Sequence, residues 1–470
     1  MARTSPDPAA ARFAAYVERL GGVIGHADRR EPLRAYLSGL LLSGERKSVE
    51  PMAARVDPSH VGSRHQSMHH FVAQAPWSDA AVLAVARDWA LEQLERHGPV
   101  TAWVVDDTGM PKKGTHSVGV AKQYCGVLGK QENCQVAVAV SLAHPVLSVP
   151  AAYRLYLPEV WAQDRRRRAA AGIPPAVAFA PKWQLALAAL DDLLADEVPQ
   201  APVLADAGYG DTTEFREGVT ARHLPYVVGI KSGTSVWPPG LRPLPPAAWR
   251  GQGRPPTQWR RTARRRPVAV RALAHVLPEA TWHTVRWREG TKGTMRSRFA
   301  ALRVRPAHRD QRGLRPEEWL LMEWPRGEAE PTKYWLATVA EDVALPELVR
   351  LAKLRWRVER DFQELKDELG LDHYEGRGWR GFHHHGVLCL AAYAFLAAER
   401  ARLSPPAPLA FLHAARRPPG FRPRGAPAAS RAARARVDRH PAVALPPARG
   451  GPASVVSVVR HARTRTFVTQ

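Results

Sequence analysis

The chain has 470 residues, too long for one ordinary domain and suited to two or three, and an apolar fraction of 45% permits a core in each. Lysine and arginine number 68 against 44 acidic residues, for a net charge of +24 and a pI near 10.7; this points to a polyanionic partner, nucleic acid first and an anionic membrane surface second. The start, MARTSPDPAAARFAAYVERL, has no apolar targeting core, the run GVLCLAAYAFLAA at 386–398 is too short for a membrane span, and Cys125, Cys134 and Cys389 follow neither metal-ligand nor disulfide spacing. A soluble protein of a reducing cytosol, without a zinc site, is expected.

Residues 1–97 read as a helical N-terminal domain. ARFAAYVERL, LRAYLSGLLL and SDAAVLAVARDWALEQLERH carry apolar residues at three- and four-residue spacing. Between them, KSVEPMAARVDPSHVGSRHQSMHHFVAQ suggests two short helices broken at Asp57-Pro58, with Arg64, His65, His69 and His70 near the second. This is either a helix-turn-helix that reads DNA or a polar helical corner.

The pattern turns to strands in 98–232: TAWVVDD, NCQVAVAVSLAH and SVPAAYRLYLP, then helix KWQLALAALDDLLADE, strand PVLADAGYGD, helix TTEFREGVTARH and strand PYVVGIK. Such alternation predicts an α/β sheet. The segment 233–332 is rich in Pro, Trp and Arg, has no acidic residue between Glu217 and Glu279, and is expected to be an inserted basic β domain. The sheet pattern resumes in 333–403 with KYWLATVAE, a long helix over PELVRLAKLRWRVERDFQELKDELG and an apolar one from GFHHHGVLCL onward. Residues 404–470 hold one acid, Asp438, and read as a flexible basic tail.

Carboxylates recur at the ends of these elements. Asp106 and Asp107 end the first strand, Asp206 ends the strand after the first long helix, and Glu359 lies on the helix after the insertion. On one continuous helix Arg355, Glu359 and Lys366 fall within a ~60° arc, so one carboxylate stands between two cations. Acids at the ends of neighbouring strands point into one cleft. On a basic chain that set suits Mg²⁺ or Mn²⁺, and two such ions can activate a nucleophile and stabilise a leaving oxygen in phosphodiester chemistry.

The motifs DDTGMPKKGTHSVGVAKQYCGVLGKQENCQ at 106–135, ADAGYGD at 205–211 and RWRVERDFQELKDELGLDHYEGRGW at 355–379 resemble those of DDE transposases of bacterial insertion sequences. The likeness is to the group with a Tyr-x2-Arg-x3-Glu-x6-Lys signature and its DDTGxxKKG subgroup, and it spans roughly residues 40 to 400. It implies an RNase H-like catalytic domain in two parts, 98–232 and 333–403, around the inserted domain. It also implies catalytic, metal-binding Asp107, Asp206 and Glu359, with Asp106 a neighbour. Arg355 and Lys366 match the signature cations expected to hold DNA phosphates. The signature tyrosine falls at Ala352, so its contact is missing or comes from elsewhere, with Tyr374 the candidate.

Lys112, Lys113, Lys122 and Lys130 flank the first acids and either contact phosphate or line a solvated loop; Lys112 and Lys113 are taken as DNA-binding candidates. Trp237, Trp249, Trp259, Trp282 and Trp287 alternate with arginines in a way suited to stacking on an unpaired base, although most tryptophans are core residues. RRRR at 165–168 reads as a solvated loop, and His383, His384 and His385 as a helix start packed behind the site that does not ligate metal.

The resemblance implies a cytoplasmic, nucleoid-associated enzyme with two Mg²⁺ or Mn²⁺ ions. It would cut the terminal inverted repeats of an element and join the 3′-OH to target DNA, working as a homodimer on DNA. The alternative is a catalytically inactive DNA-binding derivative, a repressor or domesticated remnant; a metal nuclease acting on RNA or branched DNA shares the acids.

Overall fold

The computed structural model of the chain describes residues 8–290 and 293–404. The apolar spacing of the first segment produces α1 (Pro8–Gly21), α2 (Arg30–Leu41), α3 (Val49–Val56), α4 (Val61–Ala73) and α5 (Asp79–Leu94). The break between α3 and α4 falls at Asp57-Pro58, where Asp57 leaves helical geometry and the proline cannot continue the helix. Ser78 caps α5 by accepting a hydrogen bond from the Ala81 N–H at 3.1 Å.

The chain then forms β1 (Ala102–Pro111), β2 (Ala121–Cys125), β3 (Lys130–Ala143), β4 (Ser148–Leu155), α6 (Glu159–Ala162), α7 (Arg165–Ala171), α8 (Lys182–Ala195), β5 (Val203–Ala205), α9 (Ala207–Gly210), α10 (Thr213–Ala221) and β6 (Tyr226–Ile230). Next come β7 (Ser235–Trp237), β8 (Val268–Ala269), α11 (Val270–His275), β9 (His283–Gly290), β10 (Gly293–Pro306), β11 (Glu318–Glu323) and β12 (Lys333–Ala337). The described chain closes with α12 (Leu345–Lys353), α13 (Trp356–Asp367) and α14 (Trp379–Leu403).

Among the described residues the strands make one mixed sheet in the order β2-β3-β1-β5-β6-β12-β11-β10-β7-β8, with β4 also on β3 and β9 also on β10. β1, β3 and β4 are antiparallel, and β1, β5 and β6 are parallel. α8 and α10 fill the crossovers that parallel pairing demands.

Three features differ from the sequence reading. β1 does not stop at its acids but runs on to Pro111, because β3 offers a partner along the whole strand, from Ala102↔Ala143 to Pro111↔Cys134. The 233–332 segment does not break away from the sheet: β11 pairs with β12 and β10 with β11. Antiparallel pairing of β12 to β6 leaves its other edge open, and the apolar Leu320, Leu321 and Met322 of β11 close it with a buried surface. The Pro/Arg-rich stretch 238–267 holds only isolated bridges.

The third difference concerns the helix expected over 346–370, which is interrupted. Leu354, Arg357 and Val358 donate to Leu351, Leu354 and Arg355 through three-residue turns of 3.0, 3.1 and 3.2 Å. On an unbroken helix Val358 would lie ~120° or more from Val349 and Ala352, yet all three are buried. The tight turn brings the two apolar stripes into phase.

α14 is buried along almost its whole length and packs between the N-terminal helices and β4. A helix apolar all round belongs inside a core, and no helix among the described residues is long and apolar enough to cross a membrane. The expected basic tail, 404–470, lies outside the described residues apart from Ser404.

Candidate active site

Successive strand residues face opposite sides of a sheet, so the adjacent Asp106 and Asp107 part company. Asp106 shares its face with Met110, whose sulfur meets the Tyr153 hydroxyl at 3.5 Å. There Asp106 Oδ2 accepts from Arg355 Nη1 at 2.8 Å, while Arg355 Nη2 donates to Glu359 Oε1. Asp106 Oδ1 accepts from the Asp107 N–H at 2.9 Å. Asp107, on the other face, accepts from Lys182 Nζ at 2.5 Å and from the Tyr209 hydroxyl.

Asp206 is the N-cap of α9, where its Oδ1 accepts from the N–H groups of Gly208 at 2.9 Å and Tyr209 at 3.3 Å. Close packing holds this turn in place: a Cβ on Gly210 would strike the Gly229 carbonyl and come within 2.8 Å of the Val228 side chain on β6. β1, the β5–α9 turn and α13 thus bring Asp106, Asp107, Asp206 and Glu359 toward one region from three distant stretches of chain.

Burial pushes the Asp106 carboxyl up to about 7; Arg355 opposes this, and the charges of Asp206 and Asp107 add to it. Burial, reinforced by Asp107, keeps the Tyr209 phenol protonated far above its ordinary range. Tyr209 is therefore a hydrogen-bond donor that holds Asp107 in place.

The donor set has the chemistry of a hard divalent cation, since every member offers carboxylate oxygens. Asp206 Oδ2 and Glu359 Oε2 make no hydrogen bond or ion pair among the described residues. No three His, Cys, Asp or Glu side chains among the described residues are close enough to hold an ion. The positive charge between Asp106 and Glu359 is instead the Arg355 guanidinium.

Of the four candidate DNA-binding residues, Lys113 is exposed and Arg355 bridges the two acids. The other two are structural. Lys112 Nζ donates to the carbonyls of Asp372 at 3.0 Å and Tyr374 at 2.8 Å, and Lys366 Nζ to Gly109 O at 2.8 Å. Burial lowers the pKa of both. Each satisfies backbone carbonyls that the β1–α13 junction would otherwise leave bare.

Ala352 is buried in α12. Tyr374 does not replace the signature tyrosine at the acids: its ring stacks on His385 with centroids 5.4 Å apart, and its hydroxyl packs against Gly381. Trp237 is fully buried and donates to Asp310 at 2.9 Å, Trp282 is buried, Trp287 packs beside Lys353, and Trp249 is exposed. RRRR is not a loop but most of α7, capped by Asp164; Arg167 stacks on Trp161 and Arg168 binds the Val177 carbonyl. The three histidines are buried and bond to Trp379 O, to Val72 O and Trp77 O, and to Gly370 O respectively. The sequence marks Asp106 only as a neighbour of Asp107 and does not mark Lys182 or Tyr209. Strand alternation was the available signal for the first, since of two adjacent acids only one faces a given helix; nothing local marked the other two.

The chain resembles a probable transposase for insertion sequence element IS701 from Microchaete diplosiphon, with 29% identity over 203 residues that make up 43% of this chain and 49% of that protein. It therefore spans about half the length of the curated relative it matches. Among solved structures it shows a loose likeness to a piggyBac transposase synaptic complex with hairpin DNA, at 10% identity and a TM-score of 0.41 over 79% of this chain and 66% of that one. The family model described as DDE superfamily endonuclease matches residues 19–294, a span that holds Asp106, Asp107 and Asp206 and ends before Glu359. With more than half of its length matched, the chain belongs to the DDE superfamily endonucleases.

Proposed function

We propose that the protein is an insertion-sequence transposase that cuts DNA at the element's ends and joins the freed 3′-OH to target DNA. The observation that carries this reading is that Asp106 and Glu359 share one guanidinium while the charge of Asp206 reaches Asp106, in a chain of net charge +24 that belongs to an endonuclease superfamily. The relative's name supports transposition in particular. The β4-β3-β1-β5-β6 order, antiparallel then parallel, supports an RNase H-like catalytic unit formed by 98–232 and 333–403. The helical segment 1–97 and the 233–332 segment would contribute DNA contacts, and cutting paired ends calls for a homodimer on DNA.

Asp206 and Glu359 would hold Mg²⁺ or Mn²⁺, two ions in the full site, with Asp106 as the β1 ligand because it shares Arg355 with Glu359. Asp107, the residue singled out by the motif, is the alternative for that position. When bound, the ions would supply an activated water and charge stabilisation at the leaving oxygen. The remaining roles belong to the chain. Tyr209 and Lys182 fix Asp107 and with it the backbone of β1. Lys366 ties Gly109 to α13, keeping Glu359 in register with the strand. Arg355, once released from the acids, is placed to hold a DNA phosphate.

The test is excision and reinsertion of a marked element built from the native flanking DNA, in cells making wild type or Glu359→Gln at equal levels. Movement with wild type and none with a variant that still binds the ends is the expected result. Identical behaviour of the two proteins overturns the assignment, and end binding without movement by either identifies an inactive DNA-binding derivative.

A further inference from the structure

The β2–β3 hairpin carries a cluster of exposed apolar side chains that the fold does not use. Tyr124 is 59% exposed, Val127 59% and Leu128 43%. The tip is a formed turn: the Leu128 N–H donates to Cys125 O at 3.0 Å, the Gly129 N–H to Gly126 O at 3.3 Å, and Gly129 adopts the left-handed φ of 62° that closes such a loop onto a strand. The apolar groups are therefore held outward at the cost of exposing them to water, which calls for a partner.

Charge and position identify that partner. Lys122 precedes Tyr124 by two residues and shares its face of β2, Lys130 starts β3, and both are exposed. Lys130 has only an exposed pair with Glu132 at 3.2 Å, a contact readily exchanged for phosphate. Lys113 lies in the neighbouring loop, fastened to β3 where Asn133 Nδ2 donates to Lys112 O at 2.6 Å and Gly114 O at 2.9 Å. The hairpin packs on β1 just beyond its acids, on the face of Asp107: a Cβ on Gly109 would lie 2.9 Å from Cys125 Sγ and 3.7 Å from Gly126 N. Gly109 is two residues beyond Asp107, about 7 Å along the strand.

We propose that this hairpin tip is a DNA wedge: Tyr124 and Leu128, backed by Val127, open a base step beside the scissile phosphate while Lys113, Lys122 and Lys130 hold the flanking phosphates. Apolar side chains that unstack a base step, flanked by lysines, are a recurrent way of deforming a duplex. The inference rests on the DNA-cutting reading above.

The test uses the full-length protein in Ca²⁺ and a duplex from the genomic DNA flanking the gene, with 2-aminopurine substituted at successive positions. Wild type is expected to brighten 2-aminopurine at one step. Tyr124→Ala and Leu128→Ser should abolish the brightening and weaken binding by roughly 5- to 100-fold, with no change in thermal midpoint because both residues are exposed. Tyr124→Phe should retain the signal. Equal brightening by the alanine and serine variants overturns the wedge, as does wild-type binding without brightening; both leave the proposed function standing. Failure of wild type to bind the duplex overturns both. If the variants instead lose a dimer seen by sedimentation without DNA, the tip is a contact between copies of the chain and the wedge is wrong.

Discussion

Arg355 and Asp106 lie 249 residues apart in sequence, yet their side chains meet at 2.8 Å, and the same guanidinium also holds Glu359. A cation thus already stands between two carboxylates that the proposed chemistry assigns to metal. Arg355→Gln should bind Mn²⁺ more tightly than wild type without DNA, by roughly tenfold or more given the strength of a charge contact at this range. The same variant should cut DNA more slowly for want of a phosphate contact. Calorimetric titration with Mn²⁺ beside a cleavage assay checks both, and an unchanged Mn²⁺ affinity would show that the arginine does not compete.

Which β1 acid serves the site can be decided by a pair of variants. Asp106→Asn should reduce strand cleavage by roughly 10²- to 10³-fold and weaken Mn²⁺ binding. Asp107→Asn, which loses the ion pair to Lys182 but keeps an acceptor for Tyr209, should retain most Mn²⁺ affinity. The reverse ranking would return the role to Asp107.

Lysines at the junction should separate stability from DNA affinity. Lys112→Ala and Lys366→Ala strip donors from the Asp372, Tyr374 and Gly109 carbonyls and should each cost about 1–3 kcal/mol in chemical denaturation. The salt dependence of DNA binding should stay the same. Lys113→Ala should do the opposite, leaving stability intact and reducing the salt slope by roughly one counterion.

Acid should loosen the packing of α14. His385 is buried as a neutral ring: Nε2–H donates to Gly370 O at 2.9 Å and Nδ1 accepts from the Tyr36 hydroxyl at 2.8 Å. Burial lowers its pKa from 6.5 to about 4. The unfolded chain then binds the proton first, so this contribution is whole above pH 6.5 and is lost as pH falls toward 4. Wild type should lose up to ~3 kcal/mol more than His385→Gln over that window, read from denaturation midpoints at stepped pH.

Gly210→Ala should displace α9 from β6, because its Cβ would strike the Gly229 carbonyl, and backbone cannot give way as a flexible side chain can. A loss of roughly 1–3 kcal/mol, together with reduced cleavage through movement of Asp206, is expected; a variant with wild-type melting and activity would show that the turn is slack.

The sequence by itself determined the periodic helices, the α/β alternation, the basic balance and the stretches that carry Asp107, Asp206 and Glu359. Those signals are local: spacing within a turn, a run of β-branched residues or a motif of adjacent letters reports the chain's own conformation. Only the tertiary structure decided that Asp106 rather than Asp107 meets Arg355 and Glu359, because a strand sends neighbouring side chains to opposite faces and the helix covers one of them. Tertiary contact likewise turned Lys112 and Lys366 from free cations into backbone anchors. It interrupted the helix before Arg355, since two apolar stripes out of phase could be buried together only through a tighter turn. It also drew β7 to β11 onto the open edge of β12, where unpaired peptide groups outweighed the basic composition that had suggested a separate unit.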